Sequence, residues 1–166
     1  MPLFRAWRYV SRVESIDLDE LAAHGIRCLL LDRDNTIVPR DTKRAPREVV
    51  AWIARAHELG FSLCFVSNNI HARLVAANAA EFDADYIDSA MKPFPFSVKR
   101  ALEKMGVAAD EAVLIGDQIF TDICAGNLGG VRTILVRPQS RRDLWYTYVF
   151  RLFESLVLRG TRFEGE

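Results

Sequence analysis

Five short apolar runs recur along the chain, each cut off by polar residues: Ile26–Leu31, Phe61–Val66, the briefer Tyr86–Asp88, Ala112–Ile115 and Val131–Val136. Runs of this length, bounded by turn residues, predict strands buried on both faces. Between them lie stretches with apolar residues at helical spacing: Asp17–His24, Arg47–Leu59, His71–Ala80, Pro95–Met105 and Phe120–Leu128. Gly25, Gly60, Gly106 and the pair Gly129-Gly130 follow as stop signals, Asp17 suits an N-cap, and Pro46 suits a helix start. Strand and helix alternate, which predicts a three-layer, Rossmann-like α/β domain on a central parallel sheet with right-handed crossovers.

Two segments stand outside this alternation. Residues 1–16 mix apolar and basic side chains, suited to packing on the body or touching a membrane surface. Arg141–Leu158 is rich in aromatic and aliphatic residues, and most of its charge comes from arginine. It reads as a terminal helix packed on the sheet, or as an interfacial element on anionic lipid.

The 166 residues suffice for one domain, spanning 1–166, with a real core, and half of them are hydrophobic. Lys plus Arg equals Asp plus Glu at 22 each, so no charge excess argues for nucleic acid. Cys28, Cys64 and Cys124 lack metal-ligand spacing and read as small buried hydrophobes in a reducing compartment. His24, His57 and His71 are scattered singly, as packing or surface residues. No run is apolar enough to span a bilayer, and Met1–Arg8 lacks the apolar segment of a secretory signal. A cytoplasmic protein is expected, peripheral at the inner membrane face if 141–158 meets lipid. Nothing in the sequence speaks to oligomeric state.

The chemistry gathers where strands end. Cys28–Leu31 runs into Asp32-Arg33-Asp34-Asn35-Thr36, with two carboxylates one residue apart. In an extended segment such a pair faces one side. Like charges held that close need a counter-ion or a proton, and Mg²⁺ suits oxygen ligands. Ser67 and Asn68 follow the second strand, Lys92 the third, and Asp117, with Asp122 five residues on, the fourth. Each alone has a bland explanation: an acidic turn, a helix cap, a surface lysine, a first-turn acid. A parallel sheet brings all four ends to one edge, where together they make the set phosphoryl transfer requires.

These segments resemble motifs I to IV of the haloacid dehalogenase (HAD) superfamily: Asp32-Arg33-Asp34-Asn35-Thr36 as DxDxT, then Ser67, Lys92, and Gly116-Asp117 with Asp122 as GDxxxxD. The stretches FVSNN, MKPF and GDQIFTDICAGNLGGVRTILV resemble the YqeG-type subfamily of class IIIA, which includes a mitochondrial phosphatidylglycerophosphate phosphatase. The resemblance implies an Mg²⁺-dependent phosphatase working through an aspartyl phosphate. It makes Asp32 the nucleophile, Asp34 the general acid and base, and Lys92 the charge-offsetting cation. Ser67 and Asn68, with Lys92, become the phosphate site. The metal falls to Asp32, Asp117 and the backbone carbonyl of Asp34, with Thr36 and Asp122 in support. Arg33, between the two carboxylates, is expected to turn away from the pocket.

Too few residues separate Asp34 from Ser67, or Ser67 from Lys92, for a cap domain, so an open site is expected. An open site suits a bulky or surface-bound phosphomonoester, a lipid headgroup among them. Phosphatidylglycerophosphate is the first candidate, and a soluble phosphosugar or metabolite the second. Outside catalysis, a phospho-receiver module uses similar strand ends, but Asp34 would shorten the life of its aspartyl phosphate. A binding protein that keeps the fold without turnover ranks last, since the full catalytic set is retained.

Overall fold

The computed structural model describes residues 2–140, 157–158 and 160–165. A six-stranded, wholly parallel sheet runs in the order β1-β6-β5-β2-β3-β4. The strands are β1 (Arg8–Val10), β2 (Cys28–Leu31), β3 (Ser62–Val66), β4 (Asp85–Ile87), β5 (Ala112–Gly116) and β6 (Arg132–Val136). The α-helices bounded within the described residues are α1 (Leu18–Ala23), α2 (Arg47–Glu58), α3 (Ala72–Glu81), α4 (Phe96–Met105) and α5 (Cys124–Gly129). This is the doubly covered α/β fold that the alternating pattern predicts.

The pleat divides each central strand between two cores. Leu29, Leu31, Leu63, Phe65, Val113 and Ile115 pack on one face, beneath Leu21 of α1, Val49, Trp52 and Ile53 of α2, and Val75 of α3. Cys28, Leu30, Cys64, Val66 and Leu114 pack on the other, beneath Val98 and Ala101 of α4 and Ala125 of α5. The three cysteines are buried free thiols, and burial pushes Cys64 up to about 12. Asp17 caps α1, its Oδ1 accepting from Glu20 N at 3.0 Å.

Two details depart from the sequence reading. Residues 8–10 form a sixth strand, parallel to β6, so the N-terminal segment packs on the body. A three-residue Arg-Tyr-Val strand is too short to carry a periodic signal. The expected helix at 120–128 begins as a wide π-type turn at Ile119–Ile123, and α-geometry follows only from Cys124. Most of Arg141–Leu158, read above as packed or interfacial, lies outside the described residues.

The N-terminal segment is fastened at several points. Trp52 Nε1 donates to Ile16 O at 2.9 Å inside the core, and Asn127 Nδ2 donates to Leu3 O and Arg5 O at 2.9 and 3.0 Å. Residues 163–164 then run alongside β1, with Ser11 N donating to Glu164 O and Glu164 N to Tyr9 O.

Trp52 is therefore both a packing element and a tether. Replacing it with alanine is expected to cost about 3–5 kcal/mol of stability. Denaturant unfolding checks this, and a loss under about 1 kcal/mol would contradict its place in the core.

Candidate active site

The chain leaves β2 for β3 and β4 on one side, then returns to β5 on the other side of β2. Such a reversal opens a crevice at the strand ends, and the crevice here lies between β2 and β5. Leu31 pairs with Ile115, so the next residue of β2's course, Asp32, lies beside Gly116 and Asp117. Asp32 N is pinned to Ile115 O at 2.8 Å. Ser67 follows β3 and Lys92 the loop after β4, so the four strand ends meet on one rim.

At the centre is a buried ion triad. Lys92 Nζ lies 2.6 Å from Asp32 Oδ1 and 2.6 Å from Asp122 Oδ1, with the Lys92 side chain only 1% exposed. Burial works against the ammonium charge, but Asp122 and Asp32 outweigh it, raise its pKa and keep it protonated. Burial pushes the Asp32 carboxyl up to about 7 against the pull of Lys92, and repulsion from Asp122 and Asp34 adds to the rise. Asp122 Oδ2 accepts from Gln118 N at 3.1 Å, a bond made possible by the wide turn. Gly116 makes room for it, since a Cβ there would sit 2.4 Å from the Asp122 carboxylate.

Carboxylate oxygens of Asp32, Asp117 and Asp122 lie within 4.8 Å of one another. Three buried acids face one buried ammonium, and all their donor atoms are hard oxygens. That donor set fits Mg²⁺ or a similar divalent cation. Thr36 Oγ1 donates to Asp117 Oδ1 at 3.4 Å.

Asp34 stands apart from this cluster. Arg33 donates to its Oδ1, and Asn69 Nδ2 approaches its Oδ2 at 3.5 Å. Arg33 turns toward α3, where Nε donates to Asn78 Oδ1 at 2.6 Å, yet its guanidinium folds back onto Asp34. Ser67 is fully buried, and its Oγ accepts from Asn69 N at 3.1 Å. The Asn68 side chain is spent on the Lys92 backbone: Oδ1 accepts from Lys92 N at 2.8 Å and Nδ2 donates to Lys92 O at 3.1 Å. Asn68 thus sets where Lys92 stands.

Several contributors lie beyond the sequence reading. Arg40, Gln118 and Thr121 line the pocket with Asp32, Asp34, Asn68, Lys92 and Asp122. Arg40 sits in a charged, proline-bearing loop with no spacing signal to single it out. The segment after β6 latches the loop after β2: Gln139 N donates to Asn35 O at 2.9 Å and Ser140 Oγ to Asn35 Oδ1 at 2.7 Å. Asn35 adopts φ 65°, a left-handed conformation that asparagine tolerates better than most residues. The cavity holds about 80 Å³, the space of a few water molecules at ~30 Å³ each.

The chain is 30% identical over 157 residues to the "Probable phosphatase YqeG" of Bacillus subtilis (strain 168), covering 95% of this chain and 91% of that one. The chain belongs to the YqeG-like branch of the HAD superfamily. A sequence profile described as HAD-hydrolase-like matches residues 89–147 of this HAD-family phosphatase. "Phosphatidylglycerophosphate phosphatase 1, chloroplastic/mitochondrial" of Arabidopsis thaliana is 26% identical over 150 residues, covering 81% of this chain and 41% of that protein. Among solved structures, an uncharacterised protein from Listeria monocytogenes serotype 4b superposes with TM-score 0.55 at 19% identity, over 72% of this chain and 86% of its own. The cobalt-bound deoxy-D-mannose-octulosonate 8-phosphate phosphatase of Haemophilus influenzae gives 0.54 at 11% identity, over 82% and 89%. Both share the fold of the HAD domain.

The raised Asp32 pKa gives the HAD site a pH signature. A cation needs the ionised carboxylate, so Mg²⁺ binding below about pH 7 should release a proton, with affinity rising up to about tenfold per pH unit and levelling above. Calorimetric titration in buffers of different ionisation enthalpy measures this. Binding without proton release under those acidic conditions would contradict it.

Proposed function

We propose that the protein is an Mg²⁺-dependent phosphomonoester hydrolase that works through an aspartyl phosphate at Asp32, with phosphatidylglycerophosphate as its substrate and phosphatidylglycerol as its product. The observation that carries the chemistry is the Asp32 carboxylate in the small polar pocket, bonded to Lys92 at 2.6 Å and flanked by Asp117 and Asp122.

The steps follow from the side chains. Asp32 attacks phosphorus while Asp34 delivers a proton to the departing alkoxide oxygen, so the phosphorus–oxygen bond breaks without free alkoxide charge. Asp34, now a carboxylate, takes a proton from water as that water attacks the same phosphorus. The bond to Asp32 breaks, inorganic phosphate leaves, and both acids return to their starting state. Lys92 offsets charge on the nucleophile and the phosphoryl oxygens. Ser67 and the backbone N–H groups around Asn68 hold those oxygens, and Arg40 adds positive charge at the mouth. Asp32, Asp117 and the Asp34 carbonyl would hold the cation, with Thr36 and Asp122 in support. When bound, Mg²⁺ polarises the phosphoryl group and neutralises the charge that gathers on it. Arg33, anchored on Asn78, keeps Asp34 at the pocket edge.

The lipid assignment draws on the pocket's size and on the phosphatidylglycerophosphate phosphatase relative. A cavity of about 80 Å³ selects for the phosphoryl group and leaves the alcohol to the surface around it. A lipid headgroup that projects its terminal phosphate meets that requirement.

Phosphate release from phosphatidylglycerophosphate in mixed micelles is expected to need Mg²⁺ and to stop with EDTA. Asp32→Asn should reduce it on the order of a thousandfold or more while the fold melts cooperatively as before. Asp34→Asn should slow both half-reactions. Turnover confined to soluble esters would remove the lipid substrate, and an active Asp32→Asn variant would remove the nucleophile.

A further inference from the structure

Large apolar side chains are exposed on the loops that bring Asn68 and Lys92 to the pocket. Ile70 is 77% exposed, on the loop that also carries Ser67 and Asn68. Met91, Phe94 and Phe96 are 65, 57 and 60% exposed, on the loop that delivers Lys92 and the first turn of α4 beyond it. These two loops are stitched together: Ala90 N donates to Ser67 O, Ser89 N to Asn69 O, and Asn68 pairs with the Lys92 backbone. The apolar residues therefore share one face, with Leu74 of α3, 44% exposed, at its border. The Phe94 and Phe96 rings stack on each other with centroids 6.2 Å apart. Isolated exposed apolar residues need no explanation, but a clustered apolar surface beside a functional site marks a binding surface.

The charges beside this surface choose its occupant. Arg73 and Lys99 are exposed on the first turns of α3 and α4, and the loop that brings Arg40 to the pocket adds exposed Lys43 and Arg44. The acids on the same loops are Asp41 and the half-buried Asp88, with Asp32 and Asp34 inside the pocket itself. The chain as a whole is balanced at 22 cations and 22 acids, so this cationic excess is local. Exposed apolar side chains with cations on the same and neighbouring segments complement an anionic bilayer, where aromatic rings sit among the acyl chains and Lys and Arg meet phosphate headgroups.

We propose that Ile70, Met91, Phe94 and Phe96 form a docking surface for an anionic phospholipid bilayer, which seats the pocket mouth directly on the lipid carrying the phosphomonoester. The choice of occupant rests on the lipid reading above. Docking at the mouth removes the need to lift the substrate from the membrane, since only its phosphoryl end has to enter.

The test is co-sedimentation with vesicles of phosphatidylcholine plus phosphatidylglycerol, beside vesicles of phosphatidylcholine alone. Wild-type protein is expected to bind the anionic vesicles, and binding should weaken at high salt. The Phe94→Ser/Phe96→Ser double variant should bind about tenfold or more weaker, the scale of withdrawing buried aromatic surface. It should keep its melting temperature and its turnover of a soluble aryl phosphate. Equal binding by the double variant, or no binding by the wild type, would overturn the proposal. So would binding lost with Trp145→Ala alone, which would assign the contact to 141–158. Lipid-free self-association abolished by the double substitution would give the surface to a second copy of the chain. Micellar lipid hydrolysis without vesicle binding would refute the docking and leave the substrate standing. Ring-dependent vesicle binding without lipid hydrolysis would do the reverse.

Discussion

Like charges held together away from water govern this structure. Two carboxylates about 4 Å apart repel by about 4 kcal/mol at an effective dielectric constant of 20, and Asp32, Asp117 and Asp122 are all buried within such distances. Among the described residues the fold brings one buried ammonium against them, that of Lys92, shared between Asp32 and Asp122. A proton on Asp32 and a divalent cation are alternative settlements of the remaining charge. The first explains why burial drives the Asp32 pKa toward neutrality, and the second makes the same carboxylate a ligand.

The scaffold's task is to hold these groups against their repulsion. Backbone hydrogen bonds of the central strands fix Asp32 and Asp117 side by side. Asn68 spends both side-chain polar atoms on the Lys92 backbone, so the lysine is placed by its main chain before its charge acts. Gly116 gives up a side chain to let Asp122 approach, and Gln118 N, just ahead of the wide turn at Ile119–Ile123, donates to the Asp122 carboxylate. Each device fixes a side chain through backbone geometry, which keeps the site preorganised.

Legibility in the sequence follows the same division. Strands β2, β3, β5 and β6 were readable because burial on both faces leaves uninterrupted apolar runs. Asp32, Ser67, Lys92 and Asp117 were readable because each interrupts or follows such a run. Strand β1 left no trace, since three residues cannot show a period. The second carboxylate of the DxD pair was visible, but its pairing with Arg33 and Asn78 was not, because α3 reaches Arg33 only through tertiary packing. Gln139 and Ser140 were invisible for a similar reason: they latch onto Asn35 from the far end of the described chain, and nothing local in the sequence records a partner so far away. Arg40 is only five residues from Asn35, but its charged loop has no period to single it out.

The two borders of the sheet are guarded by different means. On one side β4 is short, and Lys104, paired with Asp85 at 2.9 Å and donating to Tyr86 O at 3.3 Å, puts charge on a border that no other described strand pairs. On the other, β6 is shielded by β1, and β1 by residues 163–164. Unpaired strand borders are templates for intermolecular sheet growth. Both ends of the described chain thus act as molecular selvage. A chain trimmed of its first ten residues would keep Asp32, Asp34, Lys92 and Asp117 yet bare the Ile134–Val136 ladder, leaving it open to pairing between molecules.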